Sequence, residues 1–187
     1  MRICLSLLLL AALVCGCASS PSAPPSFEDM ERPTPPKELQ RLERLVGTWD
    51  GEARMIMPEG MEAPPPMRGQ GRTSWALGGM YLRSEGWHEI GKGERSNYVE
   101  FMSWDPKKKK YHSWYFSDMG EWGEGWATFS EDGMTLKFES VGAGPDGSPS
   151  KGKGTMTFID SNLTEWTWTE KGGMGEMKLE GTSRRRR

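Results

Sequence analysis

Histidine is the side chain best suited to move protons or hold a metal near neutral pH. This chain of 187 residues has two, His88 and His112. Two imidazoles cannot build a three-histidine zinc centre, and a site of two histidines and one glutamate would have to be assembled from separate strands. Serine nucleophiles are no better supplied. Ser74, Ser84, Ser96 and Ser103 lack nucleophile-elbow context, and Gly-x-Ser-x-Gly occurs nowhere in the chain. A hydrolase would need a serine, an acid and His88 or His112 brought together in space. Glu85 and Glu89 share one face of a strand, whereas Glu121 and Glu124 fall on opposite faces. Glycosidase chemistry requires two carboxylates at a set separation across a cleft, which spacing alone does not supply. The three cysteines, Cys4, Cys15 and Cys17, all lie in the first seventeen residues, leaving the body without thiolates or disulfides. No catalytic residue, metal ligand or cofactor is assigned on these grounds.

Enclosure of a ligand is better supplied than chemistry. The chain holds nine tryptophans, thirteen methionines and twenty-four glycines. So many indoles exceed what a small filled core accommodates, so they line a cavity or form an outer contact face. Arg83 shares a strand face with Tyr81 and Trp87, and His112 shares one with Trp114 and Phe116. An arginine among aromatic rings can meet a ligand carboxylate bidentately, or pair with an internal acid such as Glu85 or Glu100. The residues expected to touch a ligand are Arg83, Trp87, Trp104, His112, Trp114 and Trp126. Met55, Met57, Met61 and Met67 offer thioethers of the kind that suit Cu(I), but without compact spacing or a neighbouring histidine.

The elements that position these residues are mostly strands. Leu39, Leu42 and Leu45/Val46 recur at helical spacing, with Thr34 as cap, Pro35 at the first helical position and Gly47 closing the last turn. Thr48 to Met57 is the first strand. Pro58 to Gly69, with three consecutive prolines, is a loop suited to covering a barrel mouth. Short strands then follow at Arg72–Leu77, Met80–Ile90, Asn97–Trp104, Tyr111–Ser117, Glu121–Ser130 and from Met134. Gly142 to Lys153 is a loop, Gly154–Asp160 and Leu163–Glu170 form a hairpin, and Met174–Gly181 closes the set. About ten short strands without a second helix predict an all-β fold, a single antiparallel barrel whose closure removes exposed edges.

The chain start reads as an export signal. Arg2 precedes an apolar run from Leu5 to Val14, too short to span a bilayer well. The sequence Gly16-Cys17-Ala18 resembles a bacterial lipobox, in which Cys17 becomes the first mature residue and carries the lipid. Residues 1–16 are then a signal peptide, 17–33 a Pro- and Ser-rich tether, 34–181 the domain and 182–187 a basic tail. The formal net charge of −2 and the mildly acidic body do not suit a nucleic-acid surface. Arg184 to Arg187 could rest against anionic headgroups or simply be solvated.

Leu42-x-x-Leu-Val-Gly-Thr-Trp49, Leu77-Gly-Gly-Met-Tyr-Leu-Arg83 and Phe101-Met-Ser-Trp-Asp-Pro106 together resemble a widespread bacterial family of unknown function. Lys110-Tyr111 through Trp114 and Asp118 extend the likeness over Leu39 to about Leu179. The resemblance implies a lipocalin-like, or calycin-like, barrel whose Trp49 packs one end against the helix. It carries no catalytic residue. A related kind of barrel binds haem through one histidine, but Leu163 to Leu179 holds none, and His112 is the better-placed of the two. The lipobox likeness implies residence at the periplasmic face of the outer membrane. The expected function is non-enzymatic binding of a small apolar or amphipathic ligand at the cell envelope. A solid-core module contacting an envelope protein and an uncharacterised hydrolase are the alternatives.

Overall fold

The computed structural model describes residues 31–57, 59–91, 93–173 and 175–186. The leader, Cys17 and nearly all of the expected tether lie outside them. The compact unit Thr34–Arg187 is a closed barrel of ten antiparallel strands, each paired with its sequence neighbours and the last with the first. They are β1 (Gly47–Met55), β2 (Met67–Ala76), β3 (Tyr81–Gly91), β4 (Glu94–Asp105), β5 (Lys110–Ser117), β6 (Trp122–Phe129), β7 (Thr135–Ala143), β8 (Pro149–Phe158), β9 (Leu163–Gly172) and β10 (Gly175–Arg185). Pairing of β1 with β10 leaves no open edge, as the run of short strands and tight turns predicts.

The leucine-rich opening forms a 3₁₀ helix, Lys37–Leu45, rather than an α-helix. Leu39, Leu42 and Leu45 stand three apart, which places them on one line of a three-residue turn. Leu39 and Leu42 are fully buried over one end of the barrel. Thr34 does not cap the helix; Pro36 occupies the cap position and makes no side-chain hydrogen bond. Gly47 does not close the last turn either. It opens β1 with φ of 139°, and Arg185 fills the space where a side chain would stand.

Side-chain bonds hold this helix down as a lid. Trp49 donates its indole N–H to the Leu45 carbonyl at 2.8 Å, and Tyr111 donates its hydroxyl to the Glu38 carbonyl at 2.8 Å. Trp75 donates to Glu43 at 2.6 Å, and the Arg44 guanidinium lies 3.9 Å over the Phe158 ring. Below the lid, Leu82, Met102, Tyr111, Ala127, Leu136 and Phe158 are buried, with Trp75, Trp104, Phe129 and Met156 packed around them.

Several boundaries differ from the sequence reading: β2 begins at Met67, inside the loop expected over Pro58–Gly69, and β4 at Glu94 rather than Asn97. The loop expected at residues 142–153 is confined to 144–148, because β8 begins at Pro149 and pairs Ser150 with Gly142 and Lys153 with Glu139. The final strand runs past Gly181 to Arg185, through most of the expected basic tail. Arg185 donates to the Arg44 carbonyl at 2.8 Å and to the Val46 carbonyl, while Arg186 pairs with Asp50. These arginines therefore finish the helix end and the β1–β10 seam.

Candidate functional site

Strand register decides which side chains see the lumen. Trp49, Gly51 and Ala53 oppose Gly71, Gly69 and Met67, and this row continues through His88, Gly86, Ser84 and Leu82 on β3. It passes to Ser96, Tyr98, Glu100 and Met102 on β4, then Ser117, Tyr115 and Ser113 on β5. Arg83 and Trp87 therefore lie on the outer row, as do His112, Trp114 and Trp126. Of the six residues expected to touch a ligand, Trp104 alone points inward, and it packs under the lid with its ring 5.1 Å from that of Tyr111.

The outer five have partners of their own. Arg83 pairs with the exposed Glu85, and Arg95 lies 3.6 Å over the Trp87 ring. His112 stacks on Trp126 at 4.9 Å, lies 4.0 Å from the Trp114 ring, and shares a 2.7 Å hydrogen bond with Glu124. Lys108 covers Trp126 at 3.7 Å. Beside this stack an outer cleft of about 380 Å³ runs along Trp126, Lys137, Glu139, Lys153 and Thr167. Its walls carry Lys110, Lys137, Lys153 and the hydroxyls of Thr155, Thr167 and Thr169, and the Trp126 ring is already engaged by Lys108 and His112.

The opposite half of the lumen is different. Away from the lid, the inward rows carry an apolar arc on β9, β10, β1 and β2: Trp166, Trp168, Leu179, Met177, Met55 and Met67. Facing it across β3 to β5 is a polar arc of His88, Tyr98, Glu100 and Tyr115. Between them β6 to β8 present small residues: Gly123, Gly125, Ser140, Gly142, Ser150 and Gly152. The tryptophans and tyrosines here are neither buried nor exposed but partly accessible, in contrast to the sealed residues under the lid. Small inward residues on one arc let large ones occupy the others. The Trp168 ring lies directly against Gly152, where any side chain would collide with it. The Tyr98 hydroxyl approaches to 2.6 Å of where a Gly71 side chain would begin.

Hydrogen bonds fix these rings. Trp166 donates to Ser183 at 3.2 Å and Trp168 to Glu170 at 3.3 Å. Tyr98 stacks on Tyr115 with centroids 5.9 Å apart, and His88 lies 6.1 Å from Tyr98. Burial pushes the Glu100 carboxyl up to about 7, opposed in part by the hydrogen bond from Ser113. Burial also raises Tyr98 to about 12, with the Glu100 charge adding to it. Tyr115 moves higher still, through burial and then the charges of Glu121, Tyr98, Glu100 and Glu170. Both phenols thus stay protonated at neutral pH, able to donate hydrogen bonds into the lumen.

Among the described residues no three His, Cys, Asp or Glu side chains gather closely enough to hold a metal ion. Tyr98, Tyr115, Trp166, Trp168 and Glu170 are not among the residues expected from sequence to touch a ligand; Glu100 is expected there only as an internal acid for Arg83, and it does point inward, whereas Glu85 stands outside. The usable signal was glycine: positions such as Gly71, Gly86, Gly152 and Gly181 mark the row facing a crowded interior.

A family model described as "Protein of unknown function (DUF1579)" matches residues 34–185, the whole barrel. No curated protein matches the chain. Among solved structures, Rv2717c from M. tuberculosis is similar at TM-score 0.59 and 14% identity, over 82% of this chain and 100% of that one. An S-type phycobiliprotein lyase, CPES from Guillardia theta, is similar at TM-score 0.55 and 14% identity, over 79% of this chain and 92% of that one. At such identities the likeness is one of fold, a lipocalin-like barrel. The family match and the barrel together establish that the chain belongs to the DUF1579 family.

Proposed function

We propose that the open half of the barrel encloses a small amphipathic molecule and releases it unchanged. The observation that carries this reading is the division of the inward rows. Trp166, Trp168, Met177, Leu179, Met55 and Met67 offer apolar area, and His88, Tyr98, Glu100 and Tyr115 face them with polar groups. A ligand lying between the arcs would desolvate its apolar body on one wall and keep its polar end hydrogen-bonded to the other. Exposed Ile56, Met61, Ile90 and Met119, at strand ends and turns around the open mouth, would ease entry of an apolar compound.

In this reading the barrel works at the cell envelope, held to the periplasmic face of the outer membrane by an acylated Cys17. Cys17→Ser should then move the protein from the membrane to the soluble fraction; unchanged fractionation would remove the anchor from the account.

A second reading is contact with an envelope protein through the outer face. Phe116 and Trp122, each 49% exposed, and Val141 at 43% favour it. Native mass spectrometry of protein purified from its own host separates the two. One stoichiometric small molecule, released on denaturation, supports enclosure. Empty protein that also shows no tryptophan fluorescence change with a host lipid extract overturns it.

A further inference from the structure

Resting on that enclosure reading, we infer that the ligand is a planar organic cation, a flat apolar ring system bearing a protonated nitrogen. The argument is the sign of the lumen. In the open half the inward rows hold Glu100 on β4 and Glu170 on β9, and Glu121 stands at the mouth, bonded by the Ser117 hydroxyl at 3.0 Å. Among the described residues, no lysine lies on the inward rows. The inward arginine, Arg185, is at the lidded end, where its guanidinium is engaged by the carbonyls of Arg44 and Val46. Among the described residues the open lumen therefore presents carboxylates with no built-in basic partner apart from the imidazole of His88.

A desolvated carboxyl either stays protonated or meets a counter-charge, and beyond His88 only an occupant can bring one to Glu100. An anionic ligand would add its own charge to the same field. The walls are aromatic. Tyr98 and Tyr115 are stacked to within 23° of parallel, and Trp166 and Trp168 stand on the facing arc, so their π-faces favour a cation over an anion. Glu100 is the anchor and the aromatic walls set the plane.

Proton linkage gives this assignment a signature. Glu100 meets the Ser113 hydroxyl from β5, and its charge is felt by Tyr98 on its own strand and by Tyr115 on β5; further out on the inward rows stand His88, beside Tyr98, and Glu121 and Glu170, whose charges reach Tyr115. Without ligand, burial keeps Glu100 partly protonated at neutral pH. A cation arriving beside it stabilises the carboxylate, so a proton leaves Glu100 for the buffer.

The test uses three probes of one shape: 1-naphthylmethylammonium, 1-naphthylmethanol and 1-naphthoate, titrated into the full chain and followed by tryptophan fluorescence and calorimetry. The ammonium should bind about tenfold more tightly than the alcohol, and the naphthoate more weakly than both. Ammonium binding near neutral pH should release a proton, seen as a heat that depends on the buffer. Glu100→Gln should erase the preference for the ammonium and the proton release while keeping the alcohol. Glu170→Gln should reduce the preference less. If Glu100→Gln does not fold, the wild-type ranking and proton release still decide. Equal binding of all three probes, or tightest binding of naphthoate, overturns the cation assignment and leaves enclosure standing. Binding of none overturns both.

Discussion

The two ends of one barrel are built on the same inward row and do opposite things with it. Under the 3₁₀ lid the row is Leu82, Met102, Tyr111, Ala127, Leu136 and Phe158, all buried, with Leu39 and Leu42 closing from above. Further along, the same strands present Gly86, Tyr98, Tyr115, Gly123, Gly142 and Gly152, and the Tyr98 and Tyr115 rings are partly accessible to water. The lidded end stabilises the fold by burying apolar area. The open end gives up some of that area and holds a desolvated carboxylate instead. A protein that needed only to fold would fill both ends alike.

The sharpest way to break this contrast is to remove packing from the lidded end. Phe158→Ala should cost about 3–5 kcal/mol in urea unfolding, because Phe158 is 2% exposed and has Phe129 and Arg44 against it. The molecules that remain folded should still bind ligand.

At the open end the signature is electrostatic. Glu100 keeps its proton in the folded state between its ordinary value of 4.5 and about 7, where the unfolded chain has lost it. The native state then binds more protons, so stability falls as pH rises through that window, by up to roughly 3 kcal/mol. Glu100→Gln should flatten this slope and stabilise the empty protein at about pH 8. Denaturant midpoints measured at both ends of the window check it; an unchanged slope would assign the open end no stored cost.

Gly152→Ala sharpens the same point sterically. Its new methyl would strike the Trp168 ring, so a loss of about 1–3 kcal/mol and a shifted tryptophan emission are expected. The smallest effect belongs outside. His112→Ala removes a partly exposed pair with Glu124 and should cost under about 1 kcal/mol, with ligand binding unchanged. A large loss of binding in that variant would return the site to the outer aromatic stack.

Much of the fold was legible in the sequence because turns and periods are local. Gly-Gly at 78–79, Asp-Gly at 132–133 and Ser-Asn at 161–162 separate strands whose residues alternate, and ten strands in sequence order leave the barrel as the closed solution. Which face points inward is not local. On β5 the face His112, Trp114, Phe116 is as aromatic as Tyr111, Ser113, Tyr115, and only cross-strand register separates them. That is why Arg83, Trp87, His112, Trp114 and Trp126, chosen for aromatic company, stand outside. Trp166 and Trp168, opposite glycines on β8 and β10, stand inside. The helix type was hidden for a related reason. A spacing of three fits both helices over so short a run, and the carbonyls that receive Trp49, Tyr111 and Arg185 hold the chain in the tighter one.

The central claim is that the occupant sits inside the open half. A crystal structure of the protein grown with 1-naphthylmethylammonium tests it most directly. The account predicts density for the ring between Tyr115 and Trp168 with its nitrogen directed at Glu100. Density against Trp126 on the outer face, or a lumen closed by its own side chains with the probe elsewhere, would contradict it.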